Sequence, residues 1–534
     1  MMKEEDPLGG TDRLTTQEVP PGVDRRAFLM RSAAVGAAAV MTGRLVSAQE
    51  IIHQPLAVLP PQKAEPPLSK DLNVVKKEKG PVLTTLDEFY KVGPGPSSSH
   101  TIGPMRITYD FYQRAEKLPA DKLAKATALK VNLFGSLSAT GKGHGTERAA
   151  LAGLIGKEPA TVDPLFLDSL RDKPDQTFPV KLGSSTFNVS LKDVIYDATK
   201  GDFKHPNTMT VKLLAGDEVL LEQEYYSVGG GFIEWKGYTP PKKNPPKYPF
   251  STMKELRAHA DKNKLSIAQV MLANEMSIAG RTEEEVYAFT DKIINAMVAT
   301  VKSGLSMPED DVLPGPIKLH SKAATVYKRA MDDTYQADRG IGLLSAAALA
   351  ASEENGRGHL VITAPTGGSA GVMPALVYGL LEARKIPLEK VRLGMLAAAA
   401  VGYLCKHHAT LSAAEGGCQA EIGVASSMAA ALVATAYDAE SRVVENAAES
   451  ALEHHLGMTC DPVAGYVQVP CIERCAFGAV KAWTAYAIAS NEIASRHRVD
   501  FDATVQALAE TAKDMNSKYK ETSEAGLALS VVLC

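Results

Sequence analysis

The distribution of sulfur constrains this chain more than any other feature. Six of its 534 residues are cysteines, Cys405, Cys418, Cys460, Cys471, Cys475 and Cys534, and none lies before position 405. A disulfide framework belongs to small secreted domains and would staple more of so long a chain. Clustering at one end suits a metal centre better, because thiolates are soft ligands for zinc or for iron–sulfur clusters. Spacing does not choose between those metals. Zinc sites use short CxxC-type pairs, whereas these gaps run from 418 to 460 and from 460 to 471. The short pair, Cys471 and Cys475, stands one helical turn apart. The reading without metal is a set of small buried cysteines in an Ala/Gly-rich core.

The words around the cysteines narrow the choice. GGCQAEIG at 416–423, GMTCDPVAG at 457–465 and VPCIER at 469–474 follow GPGPSSSHTIGPMR at 93–106, GHGTERA at 143–149 and TAPTGGSAGVMPA at 363–375. Together, in this order, they resemble the single-chain iron–sulfur L-serine dehydratases (L-serine ammonia-lyases) over roughly residues 82–534. The resemblance implies that Cys418, Cys460 and Cys471 hold a [4Fe–4S] cluster, and that the C-terminal Cys534 enters the site and caps the remaining iron. It further implies L-serine as substrate, no pyridoxal phosphate and a homodimer. The chain departs from the family at two positions where Asn is usual, Gly367 and Cys475. Gly367 removes a side chain that would touch substrate, which puts strict serine selectivity in question.

The net charge of −4 and pI of about 6.3 leave no basic field to recruit nucleic acid. Apolar residues make up 45% and aromatics 6%, a balance that suits an Ala-rich, helix-heavy protein. Residues 1–24 read as a polar leader. Arg25-Arg26 before Phe28-Leu29 resembles a twin-arginine export signal, with an apolar stretch at 33–43 and a small-residue cleavage motif at Val46-Ser47-Ala48. The apolar stretch is too short to span a bilayer, so no stable membrane insertion is expected. A working signal implies a periplasmic protein; otherwise the family implies a cytoplasmic one. Residues 49–80 read as a Pro- and Lys-rich linker.

The expected fold is an α+β N-terminal domain over 81–239, followed by a larger all-α domain over 251–534 that carries the iron–sulfur site. PPKKNPPKYP at 240–249 marks the boundary. Alternation predicts strands at 126–134, 179–190, 208–214 and 217–227, and GGGF at 229–232 closes the first domain. Apolar spacing of three and four predicts helices at 266–278, 283–304, 321–331, 340–352, 370–384, 391–404, 420–436, 474–495 and 501–515.

Chemistry concentrates in three turns. Ser97, Ser98 and Ser99 stand before an apolar-periodic run, an N-cap arrangement whose free N–H groups and hydroxyls suit a carboxylate. His100 beside them is the first choice of general base, and His144, flanked by glycines, the second. The turn at 141–145 lacks GxxxxGK[ST], which argues against a nucleotide. Thr366 and Ser369 supply hydroxyls in the third turn. Adjacent histidines on a helix point about 100° apart, so the pairs His407-His408 and His454-His455 suit one zinc ion poorly. Glu415 and Glu421 flank Cys418 as groups that tune a metal ligand.

Three thiolates leave one iron of a [4Fe–4S] cluster open as a Lewis acid for the serine hydroxyl. A base removes the α-proton, water leaves, and aminoacrylate becomes pyruvate and ammonia. Ser97, Ser98, Ser99, Thr101 and Thr366 would orient the carboxylate. Three other readings stay open: a pyridoxal-phosphate ammonia-lyase, a related hydro-lyase or desulfidase, and a zinc- or disulfide-bearing binding protein of the envelope.

Overall fold

Alternation in ALKVNL does what the sequence demands of it. Ala128–Leu133 is a strand, β2, whose Leu129, Val131 and Leu133 are buried while their neighbours are not. It is identified in a computed structural model that describes residues 80–531, apart from 200, 202, 240 and 241. The twin-arginine stretch, its cleavage motif and Cys534 lie outside the described residues.

Before β2 come a one-turn helix α1 (Leu86–Phe89), a short strand β1 (Lys91–Pro94) and helix α2 (Gly103–Ala115). After it come α3 (Thr146–Leu154), α4 (Pro164–Asp172), the hairpin β3 (Phe178–Leu182) and β4 (Ser185–Val189), β5 (Val194–Tyr196), β6 (Thr208–Ala215), β7 (Glu218–Ser227) and β8 (Ile233–Trp235). The main sheet has the order β5-β2-β6-β7-β8, parallel only between β2 and β5. GGGF therefore does not close the sheet; β8 follows it and adds an edge strand. Met105, Ile107 and Phe111 of α2 and Ala149–Leu154 of α3 cover the sheet in one core. The two helices touch backbone to backbone at Gly153, where a Cβ would stand 2.1 Å from Thr108 Oγ1 and 2.4 Å from the Met105 carbonyl.

The second part is mostly helical: α5 (Met253–Asn263), α6 (Ile267–Ala279), α7 (Glu283–Leu305), α8 (Ala323–Met331) and α9 (Arg339–Arg357) precede strand β9 (Leu360–Thr363). Then follow α10 (Val372–Tyr378), α11 (Leu388–His408), α12 (Val424–Ala436), α13 (Ser441–Glu453), α14 (Cys471–Ala489) and α15 (Phe501–Asp514). Every residue of α12 is buried, and its small side chains let Gly394 of α11 approach the Leu432 carbonyl. Helix α13 escaped the apolar-spacing test because its core face carries Glu445 and Glu449. Both are matched inside: Glu445 by Arg257 at 2.9 Å, and Glu449 by His497 at 2.9 Å and Thr504 at 2.7 Å.

Strand β9 corrects the all-α expectation. Gly358, at φ 90°, ends α9, and the β-branched run in LVIT then pairs antiparallel with β1, from Lys91 opposite Thr363 to Pro94 opposite Leu360. This ribbon crosses between the two parts, and the described residues belong to one compact unit. No helix among the described residues is long and apolar enough to cross a membrane.

Gly153 generates a test of this packing. Gly153→Ala forces α2 and α3 apart, and overpacking of this kind costs about 1–3 kcal/mol. Thermal unfolding followed by circular dichroism should show a lower midpoint than the parent chain.

Candidate active site

The ribbon delivers two glycine-rich turns to one place. One follows β1 and carries Ser97–Thr101; the other follows β9 and carries Thr366–Ser369. They meet with no side chain between them. A Cβ on Gly367 would lie 2.8 Å from Ser98 N and 3.1 Å from the Pro96 carbonyl. The position is thus shaped for glycine, and an Asn there would have to push the serine turn away. A Cβ on Gly368 would meet the Glu421 carboxylate at 2.7 Å, and the Thr366 hydroxyl hydrogen-bonds to that same carboxylate. The serine turn, the threonine turn and the segment after Cys418 are therefore direct neighbours.

The serine turn is a single π-helical turn, Ser98–Ile102, leading into α2. The Ser97 hydroxyl accepts the His100 N–H at 3.1 Å as its cap. The Thr101 hydroxyl donates to the His144 carbonyl at 2.9 Å, and Thr146 donates to the His100 carbonyl at 2.5 Å. These reciprocal bonds hold the two histidine turns together, so Thr101 serves as a tie between loops. Ser98 is buried, yet its hydroxyl makes none of these bonds.

The rings of His100 and His144 lie 4.7 Å apart. Burial pushes both below the ordinary histidine range, His100 well below it because His144 and His205 also face it, so both are neutral at neutral pH. They differ in what they leave free. His100 is saturated, with Nδ1 on Ser99 Oγ at 2.9 Å and Nε2 on Ser136 Oγ at 3.0 Å. His144 Nδ1 sits 3.0 Å from the Thr140 carbonyl, which can only accept. Nδ1 therefore carries the proton, and Nε2 keeps a buried lone pair with no partner among the described residues.

Cys418, Cys460 and Cys471 are buried and free of disulfides. Cys418 sits in the turn before α12, Cys471 is the first residue of α14, and Cys460 lies in the loop between α13 and α14. The Cys418 thiol hydrogen-bonds to both others and to the Arg474 guanidinium, which hold it well below the usual thiol range. The same Cys418 contact and burial push Cys460 and Cys471 up. Arg474 also donates to the Thr459 carbonyl at 2.6 Å and to Asp461 at 3.1 Å, fixing the Cys460 loop to α14. Among the described residues no His, Cys, Asp or Glu side chains surround a common point as ligands of one metal ion. A polynuclear group needs no such point, since each thiolate takes a different iron. Three buried, unoxidised thiols are soft donors of the kind that iron–sulfur clusters take.

Two half-buried glutamates stand beside Cys418. Burial, then the charges of Glu521 and Cys418, push Glu421 well above the usual range. Burial and Cys418 push Glu521 up to about 7. Glu521 arrives through the last loop, where its N–H bonds the Cys460 carbonyl at 2.8 Å. Sequence reasoning missed Glu521, Ser136 and Arg474. Arg474 lies within VPCIER and was open to notice, whereas nothing local marks the other two.

The remaining candidates separate from this centre. Cys405 lies in the α11 core and burial pushes its thiol up. Cys475 donates to the Gly368 carbonyl at 3.3 Å, behind the threonine turn. His408 bonds the Ser251 carbonyl at 2.5 Å, and His454 and His455 each turn Nδ1 back onto their own helix. Glu415 takes the Thr410 hydroxyl. The described residues of the tail, 526–531, stay largely exposed. Leu529 is 70% exposed, and the tail is held by Leu527 N–H on Asp461 at 2.7 Å.

Two family models match the chain: the serine dehydratase beta chain over residues 85–238 and the serine dehydratase alpha chain over 262–528. The chain is 38% identical to L-serine dehydratase 2 of Escherichia coli over 475 residues, 85% of this chain and 100% of that protein. It is 38% identical to the L-serine dehydratase of Haemophilus influenzae over 462 residues, covering 84% and 100%. It is 40% identical to the L-serine dehydratase TdcG of Escherichia coli over 457 residues, covering 83% and 98%.

The histidine geometry can be checked directly. In side-chain 15N NMR spectra, His144 should be the neutral Nδ1–H tautomer at pH 7 and stay so to below pH 6.5, since burial lowers its pKa from 6.5. A doubly protonated ring at pH 7 would refute the assignment.

Proposed function

This chain belongs to the L-serine dehydratase family, and on that premise we propose that it converts L-serine to pyruvate and ammonia, with Cys418, Cys460 and Cys471 holding a [4Fe–4S] cluster. What supports the reading most is the contact of Gly367 with Ser98 while its neighbour Thr366 binds Glu421, next to Cys418. That contact joins a carboxylate-binding turn, a free imidazole and a soft donor set. When bound, the cluster supplies a Lewis-acidic iron for the departing hydroxyl.

The residues of the chain supply the rest. The Ser97–Ser99 turn receives the substrate carboxylate on its first N–H groups and on the unengaged Ser98 hydroxyl. His144 Nε2 takes the α-proton; the C–H electrons form the Cα–Cβ double bond as the Cβ–O bond breaks. His100, pinned at both nitrogens by Ser99 and Ser136, holds the ring of His144 in place. Glu421, kept protonated by burial, gives its proton to the leaving hydroxyl, so water departs. Free aminoacrylate then tautomerises to the imine, and one water hydrolyses it to pyruvate and ammonia.

The test separates cluster from base. His144→Ala should retain iron and acid-labile sulfide after anaerobic purification and lose turnover of L-serine by ~10²–10⁴-fold, the usual scale of acid–base catalysis. His100→Ala should lose less. Cys460→Ser should lose the metal and the activity together, whereas Cys405→Ser and Cys475→Ser should keep both. Full iron content in Cys460→Ser contradicts the ligand set, and a His144→Ala enzyme of parental kcat contradicts the base. Because the reaction needs neutral His144 and burial lowers its pKa, activity should fall on acidification only below pH 6.5.

A further inference from the structure

Helix α9 ends on an ionic device that the mechanism above does not use. Gly358, in the left-handed region, turns the chain back so that the His359 N–H bonds the Glu354 carbonyl at 3.0 Å. That turn lays the His359 ring against its own helix, with Nδ1 3.0 Å from Glu354 Oε2. Nε2 looks the other way, 3.8 Å from Asp168 Oδ2 on α4. One imidazole thus stands between two carboxylates, one from each part of the fold. A neutral ring has one N–H and serves one of them; an imidazolium serves both. The carboxylates of Asp168 and Glu354 push His359 up to about 9, so the ring is charged at neutral pH. The other charges around it are committed. Arg171 pairs with Asp168 at 2.9 Å, and Arg148 faces the same carboxylate from α3. Arg357 reaches Glu354 at 3.1 Å, and Asp311 and Glu353 face Arg357 in turn. From α7, the Ser303 hydroxyl donates to Glu354 at 2.6 Å.

The same residue connects to both histidine and serine turns. The His359 carbonyl accepts the Gly95 N–H at 2.9 Å, two residues before Ser97. On the other side α4 leans on α3, where the Leu167 carbonyl takes Arg148 Nη1 at 3.3 Å, and α3 opens two residues after His144. The wall of one small cavity, about 10 Å³, unites Gly95, Thr101, His144, Asp168 and Gly358. We propose that His359 is a positioning residue for the reaction: its cation clamps α4 to α9 and so fixes the His144 turn against the stem of the serine turn. The inference rests on the reading of His144 as the base, and displacing a reacting group by ~1 Å costs up to ~10²-fold in rate. His359 itself acts only through these neighbours. Loss of its proton leaves Asp168 and Glu354 with one N–H between them. The clamp therefore holds below about pH 9 and slackens as pH rises through it.

The test follows kcat/KM for L-serine on the alkaline side of neutrality in the anaerobically loaded full chain, because that parameter reports groups of the free enzyme. Each variant is expressed as a ratio to the parent at the same pH, which cancels titration of the substrate's own ammonium. His359→Gln carries no charge at any pH. It should stand ~10-fold or more below the parent at pH 7.5 and draw level with it above pH 10. Asp168→Asn keeps the imidazole and removes one anion, so its alkaline fall should begin at lower pH than the parent's. In 15N NMR spectra of the parent, the His359 ring should carry two protons at pH 8. Parental iron and sulfide content establishes that each variant is folded. A His359→Gln ratio that stays flat with pH, an Asp168→Asn fall at the parent's pH, or a singly protonated His359 ring at pH 8 overturns the clamp. A parent chain inert toward L-serine overturns the dehydratase reading instead, and the positioning role with it, whatever the protonation of the ring.

Discussion

The proposed site depends on a contact between two backbones. Where the turn after β9 crosses the turn after β1, Gly367 and Gly368 present only hydrogens, so Ser98 N and the Glu421 carboxylate come within reach of the same few atoms. A methyl group at either position would separate them. The β1–β9 ribbon makes the crossing possible, because it fixes both turns to one rigid pair of strands. From that contact the rest follows. Thr366 binds Glu421, Glu421 stands beside Cys418, and Cys418 gathers Cys460, Cys471 and Arg474.

Burial then sets the charges. A neutral imidazole in this setting is a base, because protonating it would place an uncompensated charge in a dry interior. The same penalty pushes the Glu421 carboxyl well above the usual carboxylate range. Cys418 alone of the three thiols escapes the penalty, through its contacts with Cys460 and Cys471 and the positive charge of Arg474. Imidazole, carboxyl and thiol thus acquire different protonation states here, and environment rather than residue type sets them.

Much of this was legible before any coordinates. The helices of the second part other than α5 and α13, and the stretches that hold β2, β3, β4, β6 and β7, announced themselves by apolar period, and the motifs singled out both histidines, the serines, Thr366 and the three central cysteines. What stayed hidden arrived from elsewhere in the chain. Ser136 reaches His100 only because Gly135, at φ 55°, turns the chain after β2 against the Pro206 carbonyl. Glu521 reaches Cys418 through two backbone bonds to Cys460, which no local pattern encodes. The order of the histidines was also hidden. Sequence favoured His100 for its serine neighbours, but one of them, Ser99, and the distant Ser136 occupy both its nitrogens, and the glycine-flanked His144 keeps a free one among the described residues. At Gly367 the sequence suggested a lost contact, whereas the fold uses the missing side chain to bring two loops together.

The central claim is that three thiolates on this chain hold an iron–sulfur cluster facing the serine-binding turn. The most direct measurement is Mössbauer spectroscopy of the full chain loaded anaerobically with 57Fe, before and after addition of L-serine. The account predicts the signature of a [4Fe–4S] cluster in which one iron subsite alone changes when L-serine is added. A protein that retains no iron, or a cluster whose four subsites are all indifferent to L-serine, would contradict it.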